Sequence, residues 1–335
     1  MPSLTSSRPQ GLRLPDPELD ARVTAALQDV EELLRRSVVS QYPFVTGAAR
    51  HLVDAGGKRF RPMLTVLAAQ YGDPEAPEVV CSAVVCELTH LATLYHDDVM
   101  DEAPLRRGAA SANARWDNTI AILTGDFLFA RASDLLADLG PDAVRIQART
   151  FERLCTGQIR ETVGPDPDED PIAHHVSVLA DKTGSLIATA GRFGAMMAGA
   201  PGELVETLAT FGERIGVAFQ LADDLVDIGS EHAQSGKTPG TDLREGVATL
   251  AVLFARQSTD PDDARLIELT SGPIHDDAEH AEALALLRAH PAMGLARAEA
   301  ARWADEARAA LAPLPAGPPR DALELLCDYV VDRTG

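Results

Sequence analysis

The chain has 335 residues and a formal net charge of -21, with 51 acidic against 30 basic side chains. This acidic balance argues against a nucleic-acid partner, because phosphate backbones require basic surfaces. Hydrophobic residues make up 45% of the chain and aromatic residues only 4%, which favours helices over strands.

The N-terminal stretch "MPSLTSSRPQGLRLPDP" has no apolar signal core and predicts a flexible tail at residues 1–17. The apolar periodicity that follows is helical throughout, and its breaks are too short for an interdomain linker. No apolar run approaches the roughly 18 to 20 residues of a membrane span. We therefore expect one all-α domain at residues 18–335 of a soluble, cytoplasmic protein without a transmembrane segment.

The first basic segment along the chain is "GGKRFRP", which places Lys58 and Arg61 beside two glycines that let the backbone approach a ligand closely. Lysine is rare in this chain, since 30 basic residues include only Lys58, Lys182 and Lys237. All three stand beside small or hydroxyl residues. This context is typical of phosphate binding by a compact ammonium group.

The next segment, "HDDVMDEAPLRRG", ends an apolar helical stripe and contains the motif DDxxD at Asp97, Asp98 and Asp101. Residues i and i+4 project from one side of a helix, so the three carboxylates crowd together. Oxygen ligands on one helix suit Mg²⁺, which takes its remaining ligands from water and phosphates. Arg106 and Arg107 follow after a proline break and can fold back toward the carboxylates. Taken alone, the cluster is more typical of a solvated acidic surface than of a metal site.

The same spacing recurs in "FQLADDLVDI", at Asp223, Asp224 and Asp227 on a second apolar stripe. Two such turns on core-facing helices predict motifs that face each other across a cavity and hold a diphosphate through bridging Mg²⁺. His90 lies two helical turns before Asp97 on the same face. By itself this histidine is more typical of a buried structural residue.

The chain resembles the trans-isoprenyl (polyprenyl) diphosphate synthases from about residue 20 to residue 330. The matching segments, in order, are "GGKRFRP", "ELTHLATLYHDDVMDEAPLRRG", "GDFLFARA", "GQIRE", "DKTGSLI", "FQLADDLVD" and "GKTPGTDLREG". The resemblance implies a single-domain all-α bundle of the isoprenoid-synthase type around a deep central cavity, usually in a homodimer.

The resemblance also implies roles for individual residues. The Mg²⁺ sites for the allylic diphosphate, with two or three ions, match Asp97, Asp98, Asp101, Asp223, Asp224 and Asp227. The isopentenyl diphosphate pocket matches Lys58, Arg61, His90 and Arg107. The allylic-diphosphate clamp matches Arg106, Lys182 and Lys237, and positions near the reacting carbons match Thr183 and Gln220. The catalytic set is expected to be Asp97, Asp98, Asp101, Lys182, Thr183, Gln220 and Asp223.

The implied reaction condenses isopentenyl diphosphate with a farnesyl or geranylgeranyl type of allylic diphosphate by Mg-assisted ionisation, condensation and proton loss. Ala92 and Thr93 lie five and four positions before Asp97 and are small, which predicts a medium to long all-trans product. Val247 and Ala251 stand where the family often has Lys and Pro, and we expect an effect on affinity. An apolar product implies transient membrane contact for its release.

Two alternatives share parts of this pattern. A class I terpene cyclase also has an aspartate-rich metal motif on an all-α fold, but its second motif typically mixes Asn, Ser or Thr with Glu. A prenyl-diphosphate-binding subunit that needs a partner chain tends to lose one aspartate motif. This chain has DDLVD at the second position and keeps both motifs, which favours the synthase.

Overall fold

The computed structural model describes residues 12–229 and 239–333, which are mostly helical. The first helices are α1 Pro17–Ser37, α2 Pro43–Asp54, α3 Phe60–Ala68, α4 Pro77–Met100, α5 Ala112–Arg115, α6 Asn118–Asp138, α7 Pro141–Val163 and α8 Pro171–Leu179. After a π-helical turn at Ala180–Gly184 come α9 Ser185–Met197, α10 Gly202–Gly229, α11 Thr241–Glu245, α12 Leu250–Arg256, α13 Ala264–Leu269, α14 Asp277–Ala289, α15 Ala292–Ala310 and α16 Pro318–Asp332. Short 3₁₀ turns occur at Ala69–Tyr71 and Pro261–Asp263, and strands β1 Leu105–Arg106 and β2 Ala109–Ala110 form an antiparallel hairpin.

The described residues belong to two compact units. The first unit comprises the described part of Met1–Glu152 with Leu186–Gly212 and Ala310–Leu325. The second unit comprises the described residues of Arg153–Ser185, Glu213–Ala309 and Leu326–Gly335. Helices α7, α10 and α16 each contribute residues to both units. The single domain at residues 18–335 stays a prediction.

Helix α4 forms the centre of the first unit and packs against α1, α3 and α6. The apolar helical stripe that precedes the first aspartate motif consists of Val84, Leu88, Leu91 and Tyr95, and it is buried as expected, since each of these side chains is 0% exposed. The Tyr95 hydroxyl donates to the Ala48 carbonyl at 2.5 Å, which satisfies its polar end inside the core. This packing fixes the direction in which the end of α4 presents its aspartates.

Helix α4 is also the one helix among the described residues that has the length and apolar composition of a membrane span. Its apolar window is 72% buried inside the protein, as in the core helix of a soluble protein. The apolar character of α4 is therefore accounted for by the packing of the first unit.

The second unit has a separate apolar core around the C-terminal half of α10. Val217, Leu221, Leu225 and Ile228 are buried there against residues of α11 to α15. Their spacing repeats the helical stripe of the sequence, and Asp224 of the second aspartate motif lies beside this stripe, where Leu221, Leu225 and Ile228 line the same small cavity.

Residues 1–11 of the predicted N-terminal tail lie outside the described residues. Of the rest of that segment, Leu12 and Leu14 are buried at 8% and 6% exposure. The backbone N–H of Leu14 donates to Asp20, and Asp16 caps α1 by accepting from Leu19 at 2.7 Å. These contacts attach residues 12–16 to the start of α1.

Candidate active site

The first aspartate cluster lies at the C-terminal end of α4. Asp97 and Asp98 are in its last turn, and Asp101 caps the helix with its backbone N–H on the Asp97 carbonyl at 2.8 Å. The C-terminal end of a helix carries partial negative charge, so carboxylates there are destabilising unless a cation compensates them. This location alone requires positive charge close to the cluster.

Arg106 supplies part of that charge. Its Nε donates to Asp98 Oδ1 at 2.5 Å, and its Nη2 lies 3.5 Å from Asp101 Oδ2. The Asp98 side chain is 0% exposed and that of Arg106 is 20% exposed, so this ion pair is largely removed from water. The predicted return of the basic pair toward the carboxylates is therefore correct for Arg106.

Arg107 points to a different place because the hairpin reverses at this residue. Arg107 and Gly108 form the two-residue turn between β1 and β2, with φ of 54° and 77°. Two positive φ values in succession are typical of a type I′ turn, and the first of them is strained for a residue that is not glycine. This turn directs the two arginine side chains apart, so that Arg106 contacts the first aspartate cluster and Arg107 does not.

The Arg107 guanidinium lies on the glycine loop that precedes α3. Its Nη1 donates to the Leu52 carbonyl at 3.0 Å and to the Gly56 carbonyl. A Cβ atom on Gly57 would lie 2.8 Å from Arg107 Cζ, so only glycine allows this approach. The glycines of "GGKR" therefore allow close approach of the Arg107 side chain, where the sequence predicted close approach of a ligand.

A group of positive charges surrounds His90. Burial, and after it the charges of Arg61, Arg107, Arg59 and Arg106, hold the pKa of His90 well below its ordinary value. His90 is therefore neutral at pH 7, and one of its ring nitrogens carries a proton that it can donate. Lys58 is exposed at the edge of the same loop. Arg61 and Arg107 thus lie close to His90, and we use the name cationic pocket for Lys58, Arg61, His90 and Arg107.

The second aspartate cluster lies in the last turns of α10, again at a helix C-terminus. Burial raises the pKa of Asp224 to about 7, and the carboxylates of Asp223, Glu161 and Asp227 act in the same direction. Gln220 Nε2 donates to Asp224 Oδ1 at 3.0 Å and partly offsets this effect. The Asp227 carbonyl accepts from the Gly240 N–H at 3.0 Å, which attaches the segment after the cluster to α10.

The residues of both clusters fit a divalent cation. Their side-chain donors are carboxylate oxygens, which suit Mg²⁺ or Ca²⁺. Asp98 Oδ2 is buried and has no hydrogen-bond partner within the described part of the chain. Among residues 12–229 and 239–333, no three acidic, histidine or cysteine side chains are already arranged as a metal site. In the first cluster, Arg106 occupies oxygens of two aspartates that a cation would share.

Arg333 was not identified from the sequence. Its Nη2 pairs with Asp223, and its guanidinium lies 4.9 Å from the centre of the Phe219 ring and 5.7 Å from that of Tyr329. The only local signal was a basic residue at the end of the acidic C-terminal helix α16. This arginine compensates the second cluster as Arg106 compensates the first.

Lys182 and Thr183 lie in the π-helical turn between α8 and α9, a type of distortion that often marks a functional site. Lys182 Nζ donates to Glu161 Oε2 at 2.5 Å, and Thr183 Oγ1 donates to Gln220 Oε1 at 3.2 Å. The second unit therefore links Thr183, Gln220 and Asp224 in one hydrogen-bond chain. Lys237 lies outside the described residues.

The residues predicted to determine product length occupy different environments. Ala92 is 0% exposed, and a Cβ on Gly125 of α6 would lie 3.0 Å from the Ala92 carbonyl. Thr93 is partly exposed, and its Oγ1 donates to the His90 carbonyl at 2.8 Å. Ala92 therefore lies in the contact between α4 and α6, whereas Thr93 is on the His90 side of α4.

The two departures from the family pattern lie near the second cluster. The Val247 N–H donates to the Asp242 carbonyl at 2.9 Å, and Ala251 is 2% exposed in the core of the second unit. Ala251, Thr249 and Asp224 line one small cavity. Thr249 Oγ1 is buried without a hydrogen-bond partner in the part of the chain that the structure describes.

Known proteins resemble this chain over most of its length. The sequence model of the family described as polyprenyl synthetase matches residues 42–287. The chain is 52% identical over 326 residues to nonaprenyl diphosphate synthase of Mycobacterium tuberculosis, covering 97% of each protein. It is 43% identical to a dimethylallyltranstransferase of the same organism, covering 95% of this chain and 97% of that one.

A solved structure gives the same result for the fold. Geranylgeranyl pyrophosphate synthase from Corynebacterium glutamicum, in complex with calcium and isoprenyl diphosphate, has a TM-score of 0.86 and 48% identity, covering 97% of this chain and 100% of that one. Fold and sequence thus define an all-α prenyltransferase of isoprenoid biosynthesis. The chain belongs to the polyprenyl synthetase family.

The predicted fold class, enzyme class and family resemblance are therefore confirmed. The matched proteins are synthases and transferases of the polyprenyl type, so the cyclase and partner-dependent subunit alternatives are not favoured. The roles of individual site residues remain predictions, because the contacts described above show where the side chains lie and not what they bind.

We expect Arg106→Gln to lower the free energy of unfolding by about 3 kcal/mol, since it leaves the buried Asp98 carboxylate without its ion-pair partner. Arg106→Gln/Asp98→Asn should recover most of this loss. Denaturant unfolding of the double-mutant cycle gives the coupling energy. The matched control is Arg145→Gln, which removes an exposed pair with Asp142 and should change stability little. A coupling energy below about 0.5 kcal/mol would contradict the buried pair.

Proposed function

We propose that the protein condenses isopentenyl diphosphate with a farnesyl or geranylgeranyl type of allylic diphosphate to give an all-trans polyprenyl diphosphate. One observation carries the proposal: Arg106 contacts the first aspartate cluster, while the adjacent Arg107 contacts the glycine loop of the cationic pocket. Two anion sites, one with carboxylates for metal ions and one formed by basic groups, suit two different diphosphate substrates.

The allylic diphosphate is assigned to the aspartate clusters. The residues that hold its divalent ions are Asp97, Asp98, Asp101, Asp223, Asp224 and Asp227, and the proposed metal is Mg²⁺, with two or three ions. Bound Mg²⁺ supplies neutralisation of the negative charge that develops on the departing diphosphate. Arg106, Lys182 and Lys237 are assigned to bind the same group, where their positive charge stabilises the transition state. This role requires Arg106 to exchange its aspartate contacts for phosphate oxygens.

Isopentenyl diphosphate is assigned to the cationic pocket of Lys58, Arg61, His90 and Arg107. The lowered pKa of His90 keeps it neutral, so that it donates one hydrogen bond without adding to the repulsion among the arginines. The low pKa also makes His90 unsuited to act as the base that removes the final proton, because an imidazole of low pKa is a weak base. The released diphosphate is the proposed acceptor of that proton.

Thr183 and Gln220 are assigned to the reacting end of the allylic substrate. Thr183 donates to Gln220, and Gln220 donates to Asp224, so one chain connects the π-helical turn to the second cluster. Their dipoles can stabilise an allylic cation. The double bond of isopentenyl diphosphate then attacks this cation, and the rate of this step depends on how closely and in what orientation the two substrates are held. No protein nucleophile is required.

Purified protein, incubated with Mg²⁺, isopentenyl diphosphate and either farnesyl or geranylgeranyl diphosphate, should produce an elongated prenyl diphosphate. We expect no product when a chelator removes the metal. Mass spectrometry of the extracted products distinguishes the alternatives. A cyclised hydrocarbon would indicate a terpene cyclase, and activity only after addition of a second chain would indicate a partner-dependent subunit.

The product is proposed to be medium to long because Ala92 and Thr93 are small. The relatives named above include a nonaprenyl and a geranylgeranyl synthase, so membership of the family alone does not decide the length. Narrow packing of α4 on α6 at Ala92 makes this position sensitive to side-chain volume.

Ala92→Val and Ala92→Phe should shorten the product progressively, because each larger side chain narrows the space beside α4. Chromatography of the dephosphorylated products measures chain length, and thermal unfolding checks that both variants are folded. An unchanged product length in a folded Ala92→Phe variant would place the growth path elsewhere.

The protein is proposed to act as a cytoplasmic homodimer. Exposed apolar side chains on one stretch of α6 support association, since Ile122 is 43% and Leu123 is 57% exposed. Transient contact with a membrane is proposed for release of the apolar product, because a long prenyl chain is poorly soluble in water.

A further inference from the structure

Arg59 occupies an unusual position under the glycine loop. It directly precedes α3 in a left-handed conformation with φ of 46°, and its side chain is only 2% exposed. A non-glycine residue in this conformation is strained, and a buried guanidinium requires several partners. Its neighbour Lys58 is exposed, so of these two adjacent basic residues one faces solvent and the other lies inside the protein.

The partners of Arg59 come from three helices and from the loop itself. Its Nη1 donates to Glu87 of α4 at 2.8 Å, and its Nε and Nη2 donate to Glu31 of α1. Nη2 also donates to the Val53 carbonyl at 3.1 Å, and Nη1 to the Gly56 carbonyl at 3.4 Å. Burial alone lowers the pKa of Arg59, but the two carboxylates outweigh it and raise that pKa above its ordinary value.

The same loop supports Arg107. The Gly56 carbonyl accepts from both Arg59 and Arg107, and Gly57 provides the surface on which the Arg107 guanidinium lies. A shift of the loop would therefore move Arg107. It would also move Lys58, which is part of the loop, and the start of α3, where Arg61 lies.

We infer that Arg59 is a positioning residue for the isopentenyl diphosphate site, holding Lys58, Arg61 and Arg107 in a preorganised arrangement without contacting the substrate. This inference depends on the proposed function, which assigns isopentenyl diphosphate to the cationic pocket. Preorganised charges cost no rearrangement when the ligand binds, so loosening them weakens binding even though every basic group remains present.

The test measures KM for each substrate separately in Arg59→Gln and Arg59→Lys. Lysine retains the buried charge but cannot reach both carboxylates and both carbonyls, because it lacks the planar fork of arginine. In both variants we expect KM for isopentenyl diphosphate to rise about tenfold or more, with kcat and KM for farnesyl diphosphate changed less than about threefold. A purely structural role would instead reduce the active fraction and lower the apparent kcat with both KM values unchanged.

A second readout does not depend on turnover. Isopentenyl diphosphate alone should raise the unfolding temperature of the unaltered protein, because a ligand that binds only the folded state stabilises it. This rise should be reduced in the Arg59 variants and retained in Arg192→Gln, which removes a partly exposed pair with Glu206. If Arg59→Gln does not fold, Glu31→Gln removes one partner of Arg59 and should raise the same KM.

Lys58→Gln and Arg61→Gln separate failure of the inference from failure of the proposed function. If both variants keep the normal KM for isopentenyl diphosphate, the assignment of the cationic pocket is wrong, and the inference with it. If both raise that KM while folded Arg59→Lys and Glu31→Gln keep it normal, the pocket assignment stands and the positioning role of Arg59 is overturned.

Discussion

Compensation of buried negative charge is the constraint on which this site depends. Both aspartate clusters lie at the C-terminal ends of long helices, in a chain with a net charge of -21. Helix geometry and overall charge both oppose carboxylates at these positions. Asp98 is stable there because Arg106 folds back onto it, and Asp223 pairs with Arg333 from the C-terminal helix. Such clusters attract cations, because the carboxylates and the helix C-terminus are both negative.

The cationic pocket, in the same unit as the first aspartate cluster, concentrates positive instead of negative charge. Its basic groups repel one another, and Arg59 beside them pairs with the partly buried Glu31 and the buried Glu87. The carboxylates of Glu31 and Glu87 thus balance the charge of Arg59 inside the protein, and the basic groups of the cationic pocket remain to bind an anion. The strained turn at Arg107 connects this pocket to the first aspartate cluster, because it directs adjacent arginines to different sites. Charges that are already held in place in the cationic pocket bind an anion at a lower cost of rearrangement.

Much of the fold and the main motifs could be predicted from the sequence because they are local patterns. The stripe from Val84 to Tyr95 has helical spacing, and its burial follows from that spacing. The two DDxxD motifs are recognisable for the same reason. Arg106 was predicted to approach the aspartates because only a short break separates them.

Features that depend on packing were not accessible in this way. Arg59 meets Glu31 and Glu87, each 28 residues away in the sequence, and Arg333 meets Asp223 across 110 residues. No local pattern specifies such pairs, since helix packing brings them together. The π-helical turn at Lys182 is equally hidden, because its contacts come from a distant helix. Arg153 of α7 donates to the Asp181 side chain at 2.8 Å and to the Ala180 carbonyl at 3.5 Å, and also to the Glu213 side chain of α10 at 2.9 Å.

The most direct test of the division into two anion sites is calorimetric titration with unreactive substrates. The two ligands, isopentenyl diphosphate itself and a thiolo analogue of farnesyl diphosphate, are titrated in separate experiments. Each titration is done once with Mg²⁺ present and once with a chelator instead. The account predicts that removal of the metal abolishes binding of the allylic analogue and leaves binding of isopentenyl diphosphate nearly unchanged. Equal metal dependence of both ligands, or binding of the allylic analogue without metal, would contradict it.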